Sequence, residues 1–374
     1  MSQTRAARAA VLRETGGPFI VEPVKIEGPR GTEVLVRVVG SGVCHTDIAA
    51  SKGKFGLPTP CVLGHEGSGV VEAVGPDVTT LETGDHVVLT FRSCGHCPSC
   101  NASHPAYCNN MFAYNYATGR LSDGSSPVNG KDGERINACY LNQSSFATYA
   151  IADETNAVKA PKDVPLDILG PLGCGIQTGA GAAINSLKIQ PGDTLAVFGG
   201  GAVGLSALLG ALAVGAKSVT VVEPKESRRA LALELGAAHV VDPAATPDVA
   251  EEVRKLNGGG VSHAIDTTGA VKVITTAADT LLNLGALGLV GVPALTDTLA
   301  ISAVGVISRG LTIRGVVEGD AEPHVFIPQL IDLYRKGRFP FDRLIKRFPF
   351  DAINEAVASS LSGEAIKPLL VFDA

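Results

Sequence analysis

The sequence predicts a two-domain α/β protein, in which an irregular β-rich domain accompanies a domain of alternating strands and helices around a parallel sheet. Three observations predict it. The chain has 374 residues, more than one hydrophobic core usually serves. Its first 150 residues read as short apolar runs bounded by Gly, Pro and Asp, the pattern of an irregular β domain. From about residue 177 the pattern changes to strand–helix alternation, which builds a parallel sheet.

In the β-rich part, residues 33–39 alternate and then become apolar, and 69–74 and 85–89 are short strand-like runs. In the second part, the apolar run Thr194–Phe198 follows the turn residues Pro191, Gly192 and Asp193 and leads into Gly199-Gly200-Gly201-Ala202-Val203-Gly204. An Ala/Leu-rich helical stretch reaches about Val214, and a second run, Ser218–Val222, ends at Glu223. Residues 240–241, 264–265 and 287–290 read as further parallel strands, with a last one near 312–316. A helical stretch over 353–361 and a strand-like tail over 367–372 close the chain.

The segment from Thr194 to Glu223 carries chemistry as well as structure. It reads strand, glycine turn, helix, strand, acid, and the glycines fit G-x-G-x-x-G. Such a turn lets backbone N–H groups and a helix N-terminus approach a pyrophosphate. Glu223 stands nineteen residues beyond Gly204, close to the separation of about 20 at which an acid accepts the adenosine ribose hydroxyls. Its charge opposes a 2′-phosphate, so NAD is expected over NADP; Lys225, Arg228 and Arg229 pull the other way. Residues 194–216 hold no charge over 23 positions, long enough to span a bilayer. Three glycines interrupt that stretch where the strand–turn–helix reading needs them, and a buried parallel strand is itself apolar throughout.

Eight cysteines occur. Cys94, Cys97, Cys100 and Cys108 read C-x2-C-x2-C-x7-C, a set that can close a tetrahedron around one zinc with no position left open. An iron–sulfur cluster would have a shorter last gap and a proline after the final cysteine, whereas Asn109 follows Cys108. Disulfides suit small secreted chains, and a nucleic-acid finger would sit in a basic segment, whereas Arg92 is the one fixed charge between Phe91 and Tyr107. Upstream, Cys44 in G-V-C-H-T-D and His65 in G-H-E-G-S-G offer a second, sparser set. Cys174, between glycines in G-P-L-G-C-G-I-Q-T-G, is the candidate third ligand. Two cysteines, one histidine and a water make a catalytic zinc with an open position. Cys61 has no evident role, and Cys139 is left over as a structural or incidental residue.

The net charge of −6 and the absence of a basic stripe argue against a nucleic-acid partner. The N-terminus lacks the apolar region of a secretory signal, and cysteines assigned to metal suit a reducing cytoplasm. No membrane partner is expected.

Over nearly its whole length the chain resembles the zinc-containing medium-chain alcohol dehydrogenases. Gly64-His65-Glu66-x-x-Gly69-x5-Gly75-x2-Val78 is similar to their zinc signature, and the cysteine lobe and G-x-G-x-x-G-to-acid spacing agree in order. Gln143 to Tyr149, Leu169 to Gly181 and Gly315 to Gly319 are similar to the aryl-alcohol (benzyl alcohol) dehydrogenase branch. The resemblance implies a GroES-like catalytic domain over 1–176 and 319–374, holding both zincs, and a Rossmann domain over 177–318 binding NAD, with the active site in the cleft between them. It implies a primary aromatic or allylic alcohol as substrate, oxidised reversibly to its aldehyde by hydride transfer, and a homodimer or homotetramer. Cys44, His65 and Cys174 would hold the catalytic zinc, Thr46 would take the hydroxyl proton, Asp47 would orient His65, and Glu66 would sit behind the metal. His45 and Lys367 would face the pyrophosphate, Thr178 would touch the nicotinamide, and Gly199, Gly201, Ala202, Val203, Gly204, Glu223, Arg228 and Val292 would complete the cofactor site. The sequence departs at Ala49, where several family members carry a histidine that ends the proton relay. Seven of the 18 Phe and Tyr residues fall between Tyr107 and Tyr149; with Phe91 they are expected to line a wide apolar pocket. The alternatives are a thiol-adduct formaldehyde dehydrogenase or a terpene or aliphatic alcohol dehydrogenase of the same family, and, in another class, a non-enzymatic zinc protein.

Overall fold

The computed structural model describes residues 4–294 and 296–373; Met1 to Gln3, the start of the N-terminus read for a signal, lie outside the described residues. The chain divides into two compact units. The first comprises residues 1–174, 322–329 and 342–374, and the second 175–321 and 330–341.

The first unit is built on two sheets. One runs Cys61–Val62, Arg5–Leu12, Phe19–Ile26, Val128–Asn129, Arg135–Ile136. The other runs Ala157–Ala160, His86–Leu89, Gly67–Val74, Glu33–Gly42, Lys367–Val371, Ile345–Pro349, with Tyr149–Asp153 also paired to Glu33–Gly42. The central strand Glu33–Gly42 alternates in burial over its middle and is buried at its last three residues, as a strand entering a covered region should be. Its last residues pair on one side with Gly67–Val74, Ser41 facing Gly67, and on the other with the C-terminal strand, Leu369 facing Gly42. That register brings residues 44, 65–66 and 367 to one end of the sheet. Below it lies an apolar core in which Phe146 is fully buried and meets Phe19 edge-on at 5.7 Å; truncating such a ring costs about 3–5 kcal/mol.

The second unit holds a six-stranded parallel sheet in the order His239–Val241, Ser218–Val222, Thr194–Phe198, Val261–Asp266, Leu281–Leu289, Thr312–Gly315. Numbered along the chain this is 3-2-1-4-5-6, the doubly wound order that puts a ligand at the carboxyl ends of the strands where the order reverses. Phe198, Val222 and Asp266 end their strands level with one another, so the glycine turn, Glu223 and Thr267 follow at one edge. The uncharged stretch from Thr194 splits into a strand and the helix Ala202–Ala213. Among the described residues no helix is long and apolar enough to cross a membrane.

Candidate active site

Cys44 stands at the N-cap of the short helix His45–Ser51. Asp47, on the helix's first turn, reaches back so that Oδ2 accepts the Cys44 N–H at 3.0 Å. Its Oδ1 accepts the Gly64 N–H at 3.2 Å and lies 2.7 Å from His65 Nδ1. One carboxylate therefore ties two candidate ligands together. It also sets the imidazole: a proton kept on Nδ1 toward Asp47 leaves Nε2 as the nitrogen available to a metal. Nε2 is buried and has no hydrogen-bond partner among the described residues. Gly64, at φ +92°, adopts a conformation L side chains avoid, and a Cβ there would meet Phe146 at 2.5 Å.

Cys174 follows the 3-10 turn Asp167–Gly173. That turn is anchored where Thr90 Oγ1 donates to the Gly173 carbonyl at 2.7 Å. The donor atoms of Cys44, His65, Glu66 and Cys174 all lie within 4.8 Å of one another. The Cys174 thiol, assisted by the Lys367 ammonium, draws Cys44 well below the usual thiol range, against the effect of burial. A soft, partly ionised S₂N set, half-buried at Cys44 and buried at His65 and Cys174, with an orphaned imidazole nitrogen, fits a zinc ion.

Glu66 is fully buried, and both its oxygens accept from Lys367 Nζ, at 2.7 and 2.9 Å. Burial pushes its carboxyl up to about 7, against the pull of that ammonium. Lys367, expected at the pyrophosphate, is itself only 3% exposed and lies against Glu66. Gln143 has a role that sequence reading did not find. Its amide donates to the His65 carbonyl at 2.9 Å and accepts the Gly67 N–H at 3.1 Å, clamping the segment that carries His65 and Glu66 where it enters the strand Gly67–Val74. No local signal marks it, because its partners lie 76 and 78 positions away.

The other cysteine set also converges, the four sulfurs lying within 4.8 Å of one another. Cys94 and Cys100 are 3.9 Å apart and Cys97 and Cys100 3.5 Å, against edges of about 3.8 Å in a tetrahedron with zinc–sulfur arms near 2.3 Å. Backbone N–H groups of Cys97, Cys94 and Asn110 point at these sulfurs, each at 3.3 Å. Such bonds, led by that of His96, draw the Cys94 thiol down to about 6. Burial pushes Cys108 the other way, up to about 12, so the four sulfurs are thiolates together only around a cation, and a structural zinc fits.

In the second unit, Gly201 caps the helix Ala202–Ala213, and a Cβ on it would meet open space. Gly204 packs so closely that a Cβ would fall 1.8 Å from the Gly199 carbonyl oxygen. Glu223 is 3% exposed; it accepts the Gly200 N–H at 2.7 Å and the Lys225 N–H at 2.9 Å. The acid therefore latches the glycine turn, and its remaining lone pairs are what a ribose diol would use. Arg228 Nη1 lies 4.0 Å from it. Ala202 and Val203 open the helix, Val292 is exposed in the loop after Leu281–Leu289, and the Thr178 hydroxyl lies 3.5 Å from Glu318. The open face above Gly201 and the free helix start fit a dinucleotide. His45 opens its helix exposed, and Thr46 and Ala49 are half-buried on it.

The seven aromatics of residues 107–149 do not act together. Phe146 is core, Tyr149 lies under Arg5 at 4.9 Å, Tyr114 under Arg92 at 5.3 Å, and Tyr107 meets His104 at 6.4 Å. Phe91 and Tyr140 are buried in the same core as Phe146, and Phe55 and Tyr116 pack against it. The other three form a file. Phe112 stacks on Tyr116 at 4.9 Å, Tyr116 meets Tyr140 at 6.0 Å, and Tyr140 meets the His65 ring edge-on at 5.7 Å. Phe55, outside that stretch, joins the file against Tyr116 at 4.7 Å.

Two family models match the chain: "Alcohol dehydrogenase GroES-like domain" over residues 30–162 and "Zinc-binding dehydrogenase" over 202–336. The chain belongs to the zinc-containing medium-chain alcohol dehydrogenases. It is an oxidoreductase of that family, with a GroES-like unit and a Rossmann-type unit. It is 54% identical over 367 residues to a geraniol dehydrogenase of Castellaniella defragrans, covering 98% of each chain. Among solved structures it is similar to an alcohol dehydrogenase zinc-binding domain protein from Burkholderia ambifaria, at TM-score 0.98 and 50% identity over the whole of both chains. It is also similar to the benzyl alcohol dehydrogenase of Acinetobacter calcoaceticus, at TM-score 0.95 and 44% identity over 99% of this chain and 100% of that one. As in other alcohol dehydrogenases of the family, the substrates are small molecules.

Proposed function

We propose that this alcohol dehydrogenase oxidises primary aromatic or allylic alcohols to aldehydes, reversibly, with NAD as hydride acceptor and two zinc ions per chain. The observation that carries the substrate reading is the file of rings from exposed Phe112 through Tyr116 to Tyr140 and His65. A planar π-system stacks along such a wall, and a short alkyl chain does not. The relatives named for geraniol, an allylic alcohol, and for benzyl alcohol support the same class.

A zinc ion held by Cys44, His65 and Cys174 supplies a Lewis acid that acidifies the alcohol, and NAD supplies the hydride acceptor. Thr46, two residues beyond Cys44, takes the hydroxyl proton; with NAD bound, the nicotinamide ribose would receive it next. Asp47 keeps the imidazole in the ligating tautomer through its 2.7 Å contact. Glu66 and Lys367 form a buried ion pair beside the ligands. Glu223, already seated under the glycine turn, opposes a 2′-phosphate and so favours NAD. With Ala49 on the helix, the proton leaves through water or another base.

A homodimer or homotetramer is supported by the apolar edge of the second unit. Leu284, Val304 and Ile307 are 83%, 75% and 80% exposed beside the edge strand Thr312–Gly315, a face that a second copy would cover. The many cysteines with metal-binding geometry suit a cytoplasmic enzyme.

The test is a screen of NAD reduction across aromatic, allylic and aliphatic alcohols. A phenyl ring adds on the order of 100 Å² of buried apolar surface over a methyl group, or about 2.5 kcal/mol, so kcat/KM for benzyl alcohol exceeds that for ethanol by roughly 100-fold. Equal efficiency with ethanol refutes the substrate class. Formaldehyde oxidation that requires a low-molecular-weight thiol points to the thiol-adduct alternative.

A further inference from the structure

Tyr140 stands out from the other rings of the file, because its hydroxyl is buried and has no hydrogen-bond partner among the described residues. The residue is 2% exposed. Buried hydroxyls are almost always satisfied, so an orphan marks a place where a ligand or water completes the set. The ring cannot swing away to find a partner. It is wedged between Tyr116, at 6.0 Å, and the His65 ring, at 5.7 Å. Its backbone is pinned as well. The Tyr140 N–H donates to Ser144 Oγ at 3.0 Å, that hydroxyl donates to the Val62 carbonyl at 2.7 Å, and Gln143 is locked to His65 and Gly67.

The same short segment concentrates backbone strain. Cys139, Leu141, Asn142 and Ser144 have φ of +72°, +43°, +52° and +51°, none of them glycine. Four such residues in six positions persist only where the surroundings hold them, and strain of this kind collects at sites of function. The segment is thus built to present one residue, Tyr140, to the metal-ligating imidazole.

What a phenol can offer there follows from the substrate class. A phenol is neutral near pH 7 and donates one hydrogen bond. Benzyl and simple allylic alcohols carry one polar atom, the oxygen that reacts. We infer that the Tyr140 hydroxyl donates a hydrogen bond to the oxygen of the bound alcohol or aldehyde, and so selects and positions it. This rests on the substrate class proposed above. The bond discriminates between a ring that carries the oxygen and the same ring without it, while the face of the tyrosine packs either one.

The experiment compares benzyl alcohol with toluene, which has the ring and lacks the oxygen, as a competitive inhibitor. In Tyr140→Phe, kcat/KM for benzyl alcohol falls roughly tenfold, the worth of one such bond, while the inhibition constant of toluene stays within about twofold or improves, as a buried hydroxyl no longer has to be desolvated. Incorporating 3-fluorotyrosine at 140, a stronger donor of nearly the same shape, moves the alcohol-to-toluene ratio the opposite way. It also decides the matter if the Phe variant loses zinc or melts early. Equal weakening of alcohol and toluene, or no change in either, shows that Tyr140 only packs or that its hydroxyl holds a water, and overturns the inference. Failure of the wild-type enzyme to turn over benzyl alcohol would instead overturn the substrate class, before any variant is made.

Discussion

Asp47→Asn keeps the shape of the side chain and turns one of its two acceptors into a donor. In the native site Oδ1 serves Gly64 N–H and His65 Nδ1, at 3.2 and 2.7 Å, and Oδ2 serves Cys44 N–H at 3.0 Å. If the amide nitrogen takes the Oδ1 place, two donors are stranded and His65 must shift its proton to Nε2, where it blocks metal binding. The less costly choice puts the nitrogen at the Oδ2 place, facing the Cys44 N–H. One bond to a charged group is then lost, worth about 1.5–3 kcal/mol. Loss of a partner that orients ligands usually costs about 10–100-fold in metal affinity, which is about 1.4–2.8 kcal/mol. The two routes agree. The assay is zinc retention against a graded chelator, with metal counted per chain. The chelator activity that removes one zinc should fall by about 10–100-fold, while the other ion, expected at Cys94, Cys97, Cys100 and Cys108, serves as an internal control because Asp47 does not touch that set. Unchanged retention of both ions would show that Asp47 does not orient a ligand.

Cys97→Ser should lower zinc content from two to one per chain and destabilise the lobe, whereas Cys174→Ala should leave a folded protein without turnover; metal analysis and thermal melting separate the two, and an unchanged content in Cys97→Ser refutes the lobe assignment. Glu223→Ser removes the acceptor for two backbone N–H groups and the charge that opposes a phosphate, so the NAD-to-NADP ratio of kcat/KM should drop at least tenfold or so, or about 1.4 kcal/mol; a preserved ratio would assign the preference elsewhere. Thr46→Ala should slow single-turnover hydride transfer by about 100-fold, the usual worth of a positioned proton acceptor, with zinc still bound; a normal transient would remove Thr46 from the proton path.

How far the sequence exposes this site depends on how local each contact is. Thr194–Phe198 and Ser218–Val222 are read from sequence at their observed bounds, because a buried parallel strand is a continuous apolar run closed by a glycine or an acid. The four-cysteine set spans fifteen residues, so its spacing alone fixes its geometry. The return of residues 330–341 to the second unit has no such mark. It follows from packing, where Phe339 and Phe341 are fully buried and Phe341 meets Tyr334 at 5.0 Å. The active-site wall is harder still. Seven aromatics crowd one stretch of sequence, yet four of them serve core or surface packing, and the file is completed by Phe55 from far upstream. A count of aromatic residues therefore signals that a pocket can be built without saying which rings build it. That choice is made by Gln143 and Ser144, whose side chains reach back 76 to 82 positions to fix the strained turn that aims Tyr140. Polar residues with distant partners have no periodicity to betray them. A variant that frees the turn, such as Gln143→Leu, would thus perturb both the ligand strand and the ring wall, coupling metal retention to substrate choice through contacts that a motif search cannot register.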